Sequence, residues 1–132
     1  MTRRRAALLG VTVFAGAVLL AACGSSTSLD LQNVSSVTVT RQTPGIAPPG
    51  NAPDTIRFDT PNRVAEVVRL LKAHQIAKGT TTGADECAGG TEVDIDIVAH
   101  GAHTHLSSYA CANQTSGNIA GDLRGFLNNL PG

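Results

Sequence analysis

The stretch TEVDIDIVAHGAHTHLSSYA, residues 91–110, constrains this chain more than any other. Val93, Ile95 and Ile97 alternate with Asp94 and Asp96, the period-two pattern of a strand with one buried side. His100-Gly101 interrupts the alternation, which resumes beyond it. A two-residue hairpin turn needs positive φ at both positions, which favours glycine at the second and tolerates histidine at the first. The register then follows. Ala99 opposes Ala102, Val98 opposes His103, Ile97 opposes Thr104, Asp96 opposes His105, Ile95 opposes Leu106 and Thr91 opposes Ala110. Val93, Ile95, Ile97, Ala99, Ala102, Thr104 and Leu106 are expected on the core side. Asp94, Asp96, Val98, His103, His105 and Ser107 are expected on a wet side.

The beginning of the chain bears on its address. Arg3, Arg4 and Arg5 precede an apolar run over residues 6–22, about 17 residues, at the short limit for crossing a bilayer. A positive start, an apolar core and small residues at the end are the pattern of a secretory signal. An uncleaved anchor and an ordinary cleaved signal share these features, and Arg-rich starts serve both the general and the twin-arginine export routes. Leu20-Ala21-Ala22-Cys23 resembles the lipobox of bacterial lipoproteins. That resemblance implies cleavage before Cys23, acylation of Cys23, and display on the extracytoplasmic face of the cell membrane. Of the three cysteines, Cys87 and Cys111 then remain, and an even pair outside the cytoplasm is most simply a disulfide. In the hairpin register Cys111 lies just past the open end and Cys87 a few residues before it, so the bridge would staple the base.

Loss of Arg3, Arg4 and Arg5 with the signal leaves seven basic residues against ten acidic, a net charge of −3. Nucleic acid and anionic lipid are poor electrostatic partners for such a chain. The expected membrane attachment is the lipid at Cys23, since acyl chains contribute roughly 0.8 kcal/mol per buried CH₂. Residues 1–22 read as signal, 23–33 as the lipidated cysteine with a flexible tether, and 34–132 as one small domain. With no tryptophan and few other aromatics, its core must be mostly Val, Ile and Leu.

Within that domain VSSVTVTRQ (Val34–Gln42) and DTIRF (Asp54–Phe58) read as strands, joined by a long, stiff Pro- and Gly-rich loop over residues 43–53 that is either a plain connector or the candidate binding surface of the module. Thr60 and Pro61 open a helix, as N-cap and first helical residue. Val64, Val67, Val68 and Leu71 form its apolar stripe, and the helix is expected to run to Lys78 and stop at Gly79. His74 is expected as a solvated residue of the last turns. A second helix is expected over residues 116–128, with Ile119, Leu123, Phe126, Leu127 and Leu130 fitting a helical stripe, although Gly121 and Gly125 weaken it. The expected fold is α+β: a small antiparallel sheet of three to four strands, including the hairpin at about 91–110, with two α-helices packed on one face.

The histidines of the hairpin are the candidate chemistry. Asp96 opposes His105, His103 is the next residue on that side, and Asp94 is diagonal to His105. Imidazole and carboxylate are ordinary ligands of zinc and copper, so His103, His105, Asp94 and Asp96, helped by His100 at the turn, form a candidate metal set. Against this, a flat sheet spreads its side chains in parallel, and an exposed Asp–His pair across strands needs no function. Ser107 and Ser108 lie near His105, but without a nucleophile elbow or an oxyanion loop no catalytic residue is assigned. The order helix, Cys87, strand, tight turn, strand, Cys111 resembles small exported lipoproteins of actinobacteria that lack an established role. That resemblance covers about half the chain, implies secretion, acylation and a disulfide, and carries over no catalytic residue. The expected function is a non-enzymatic binding or interaction module of the envelope, meeting an envelope protein or a small ligand and no nucleic acid. No cofactor is required, apart from the zinc or copper alternative. A small hydrolase, or an inhibitor of an exported enzyme, is the weaker reading.

Overall fold

A computed structural model describes residues 25–43, 52–83, 87 and 89–132. The expected signal, Cys23 and most of the Pro-rich loop lie outside these described residues. The chain forms β1 (Val34–Gln42), β2 (Asp54–Phe58), α1 (Pro61–Ala73), β3 (Ala77–Thr81), β4 (Thr91–Ala99), β5 (Ala102–Ala110), β6 (Thr115–Ala120) and α2 (Leu123–Asn128). The strands make one antiparallel sheet in the order β2-β1-β4-β5-β6-β3. The α+β class holds, but the sheet has six strands rather than three to four.

The hairpin β4–β5 has every pairing that alternation and turn chemistry imply, from Ala99↔Ala102 to Thr91↔Ala110. His100 and Gly101 take φ of 51° and 74°, the two positive values of the tight turn. Val93, Ile95, Ile97 and Leu106 are buried at 2% exposure or less. They join Val37 and Val39 of β1, Phe58 of β2, Val64, Val67 and Leu71 of α1, and Leu123 and Phe126 of α2 in one core. Both helices therefore bury their apolar sides against the same face of the sheet. Burying side chains of this kind contributes roughly 1.5–3 kcal/mol each, so the two phenylalanines and the aliphatic cluster stand in for the missing tryptophan.

Three sequence expectations are corrected. First, residues 116–120 are not helical. Thr115–Ala120 is strand β6, paired with β5 through Ser108↔Gly117 and Tyr109↔Ser116, and only Leu123–Asn128 is helix. Second, α1 ends at Ala73, not Lys78. Gln75 takes φ 54°, Ile76 turns into the core, and Ala77–Thr81 becomes edge strand β3. At its start Pro61 holds the expected place, and Thr60 occupies the N-cap position without a side-chain capping bond. Third, His74 is not a free surface residue. Its Nδ1 lies 3.0 Å from Asp122 Oδ2, and its carbonyl accepts from the Asp122 N–H at 2.9 Å.

Asp122 is the N-cap of α2 and accepts from the Gly125 N–H at 2.9 Å. That backbone donor first, and His74 second, hold its carboxyl below its ordinary value. A carboxyl whose folded value is depressed stabilises the fold above its unfolded value. That contribution fades as pH falls through the folded value. Asp122→Asn keeps a capping amide oxygen and removes the charge. The variant is expected to show a shallower acid-side fall in thermal midpoint than the parent. Parallel midpoint curves from neutral into the acid range would contradict the assignment.

The N-terminal stretch expected as a tether makes contacts of its own. The Thr27 N–H donates to the Lys78 carbonyl at 2.6 Å, and the Lys78 N–H donates back at 3.0 Å. Leu29 and Leu31 pack against the core. These residues pair with the outer edge of β3 at Lys78 and then cross the helix side of the sheet to reach β1.

Cys87 and Cys111 form a disulfide with their α-carbons 6.0 Å apart, within the usual range. The Tyr109 hydroxyl donates to the Cys87 carbonyl at 3.0 Å, and Arg124 donates to the Cys111 carbonyl at 3.0 Å. Gly90 is buried where a Cβ would overlap the Tyr109 ring, so the ring closes over the strand base beside the bridge.

Candidate functional site

Helices cover one face of the sheet and leave the other open. Pairing of β2 to β1, β1 to β4 and β4 to β5 sets Arg57, Thr38, Asp96 and His105 in one row across four strands. A second row holds Thr55, Thr40, Asp94 and Ser107. The Thr40 and Thr55 hydroxyls are 3.3 Å apart, and Asn118 Oδ1 accepts from the Ser107 N–H at 2.7 Å, extending the row to β6. Both rows are polar because each strand alternates, and neighbouring strands in register place like positions side by side.

Inside this face the expected Asp–His contact is present. His105 Nδ1 lies 2.8 Å from Asp96 Oδ1, and its Nε2 lies 3.6 Å from Asp94 Oδ1. The imidazole is 57% exposed and the carboxylates of Asp94 and Asp96 are 30% and 49% exposed. Solvent screens such a cluster, and a pair of this kind contributes about 0.2–1 kcal/mol. It orients one imidazole ring between two acceptors in an otherwise flat surface.

The set expected for zinc or copper does not converge. His103 stands opposite Val98, two residues along the strand from His105, and is exposed. His100 belongs to a different neighbourhood. Its Nε2 lies 3.8 Å from Asp30 Oδ2, its Nδ1 lies 3.5 Å from Asn33 Nδ2, and its N–H donates to the Asn33 carbonyl at 3.3 Å. Among the described residues no group of three or more His, Cys, Asp or Glu side chains is placed to hold a metal ion.

Ser107 and Ser108 divide between the two faces. Ser108 is buried and its hydroxyl accepts from the Ile119 N–H at 2.9 Å, so it serves the β5–β6 junction. Ser107 is bound through its backbone N–H. A concavity of about 380 Å³ near the disulfide has Arg41 and Arg124 on its walls. Both guanidiniums are already engaged, by Asp54 and by the Cys111 carbonyl.

Sequence reasoning placed Asp94, Asp96, His103 and His105 on the open face and missed Thr38, Thr40, Thr55 and Arg57 there. The alternation in VTVT puts Thr38 and Thr40 on a common side, but the neighbour of β1 is set by pairing far along the chain. No protein-family model, curated protein or solved structure matches the chain. Among the described residues no helix is long and apolar enough to cross a membrane.

Proposed function

We propose that this chain is a lipid-anchored, extracytoplasmic binding module of the cell envelope, without catalytic activity of its own. The lipobox-like Leu20-Ala21-Ala22-Cys23 supports the anchor and the address. The Cys87–Cys111 disulfide suits an oxidising compartment. The observation that carries the binding role is the open sheet face, where Arg57, Thr38, Asp96 and His105 line up across four strands.

That face is polar and stands on paired strands instead of loops. A partner meets it without ordering a loop, and the cost falls on exposed side chains such as Arg57 and His105, which lose rotamer freedom on binding. Acceptors at Asp94 and Asp96, a donor at Arg57 and the imidazole of His105 offer mixed hydrogen bonding, as at the polar rim of a protein interface. An envelope protein fits this chemistry best. Catalysis is a poorer fit: Ser108 lies on the core face with its hydroxyl accepting from the Ile119 N–H, and among the described residues the Ser107 hydroxyl makes no hydrogen bond to His105, whose Nδ1 is engaged by Asp96.

A photo-crosslinking residue at His103 is expected to trap a discrete partner in intact envelopes. The adduct should be lost when Asp96→Arg is added. The same crosslinker at Glu66, on the exposed side of α1, is expected to trap nothing comparable. Equal trapping from both positions would remove the open face as the binding surface.

A further inference from the structure

The geometry points to a fixed stance on the membrane: the β3 edge of the sheet faces the lipid headgroups and the β2 edge faces away. This rests on the lipid anchor at Cys23 and adds to it a specific membrane-contacting surface. The chain is held in place only four residues after the anchor. Thr27 and Lys78 exchange two backbone hydrogen bonds, at 2.6 and 3.0 Å. Ser26 lies against Gly79, where a Cβ added to the glycine would stand 3.2 Å from the serine Cβ. Moving back from Thr27 to Ser26 therefore moves forward along β3, which directs the chain along that strand's outer side. Leu29 and Leu31, packed against the core, fix the segment from the other end.

Covalent reach does the rest. Four residues span at most about 14 Å along any path, at 3.3–3.6 Å per residue. Cys23 is thus confined to a sphere of about that radius around Thr27. Strands β3 and β2 are the two edges of a six-stranded sheet, five strand spacings apart. At 4.7–4.9 Å per spacing that separation is about 24 Å, beyond the reach of the anchor. The part of the molecule brought to the bilayer is the β3 edge, where Lys78, Thr80 and Thr82 and the flanking Ser25 and Ser26 are exposed. An ammonium and several hydroxyls match the phosphate and glycerol oxygens of a headgroup layer, and none of these groups belongs in hydrocarbon. In this stance the open face rises from the membrane as a wall, with His105 and Asp96 reachable from the side.

The absence of tryptophan makes the test direct. Single reporters Thr82→Trp, on the β3 side, and Thr55→Trp, on the far edge, would be placed in the full chain and purified from membranes. Thr80→Trp and Arg57→Trp serve as second reporters where a first variant has an altered urea midpoint. Each would be reconstituted into phosphatidylethanolamine–phosphatidylglycerol vesicles with nitroxide on the headgroups, and the intact mass would establish the acyl chains. The expected result is loss of most emission from Thr82→Trp and retention in Thr55→Trp. Equal quenching, a reversed order, or no quenching of either in an acylated, vesicle-bound protein would overturn the stance while leaving the anchor intact. An unacylated mass at Cys23 would overturn the anchor, and the stance with it.

Discussion

Gly117→Ala is expected to destabilise the domain by about 3 kcal/mol or more, among the largest effects of any single methyl group here. Gly117 takes φ 135°, a conformation that side chains rarely adopt. A Cβ there would fall on the carbonyl oxygen of Ser107 and on Ser108 across the strand pair. Those atoms cannot step aside cheaply, because the Ser108 hydroxyl accepts from the Ile119 N–H and Ser108 is itself buried. Gly101→Asn is the control. Gly101 also has a positive φ, 74°, but an added Cβ meets nothing within 4 Å. Asparagine tolerates that turn region, so the cost should stay at about 1 kcal/mol or less. Urea midpoints of the two variants separate the cases. Equal midpoints would mean that β6 does not approach β5 as closely as described.

Removing the disulfide is expected to cost about 3–4 kcal/mol, chiefly by releasing the loop constraint on the unfolded chain. Cys87 and Cys111 are 24 positions apart, and they close the base of the hairpin that supplies much of the core. Loss on that scale lowers the thermal midpoint by on the order of 15 °C in a domain of this size. The comparison is the parent with and without reductant, beside Cys87→Ala/Cys111→Ala. Coinciding reduced-parent and double-variant midpoints, both well below the oxidised parent, are the expected outcome. A midpoint unmoved by reductant, with both thiols shown to be free, would contradict it.

The hairpin and its faces were legible because their determinants are local. Alternation in TEVDIDIVA fixes which side chains share a side, and His100-Gly101 fixes the register, so the Asp96–His105 contact followed from counting. Strand β1, strand β2 and the opening of α1 were legible for the same reason. Strand β6 was not. Ile119, Leu123, Phe126 and Leu127 share a helical spacing, but β6 pairs with β5 and β3 on either side, and that pairing overrides the local pattern. Strand β3 was hidden in AKGTT, which has no apolar alternation because it lies at a sheet edge. The β-branched run Thr80-Thr81-Thr82 was the one signal for it. The row from Arg57 to His105 depends on the strand order β2-β1-β4-β5, which joins segments distant in sequence. His100 left the expected metal set for a related reason. Pairing of Val34 with Ala99 brings Asn33 beside the turn, where it engages the imidazole and the backbone of His100.

The proposed envelope role requires attachment of this domain to the outer face of a membrane through one thiol. The most direct measurement is detergent-phase partitioning of the full chain and of Cys23→Ser, with the intact mass of the membrane-extracted protein. The parent is expected to start at Cys23, carry acyl chains and enter the detergent phase, and the Cys23→Ser variant to lack acyl mass and keep residues 1–22 as an uncleaved apolar run. A parent without acyl mass, or a Cys23→Ser chain that is cut at the same bond and still enters the detergent phase, would contradict the lipid anchor.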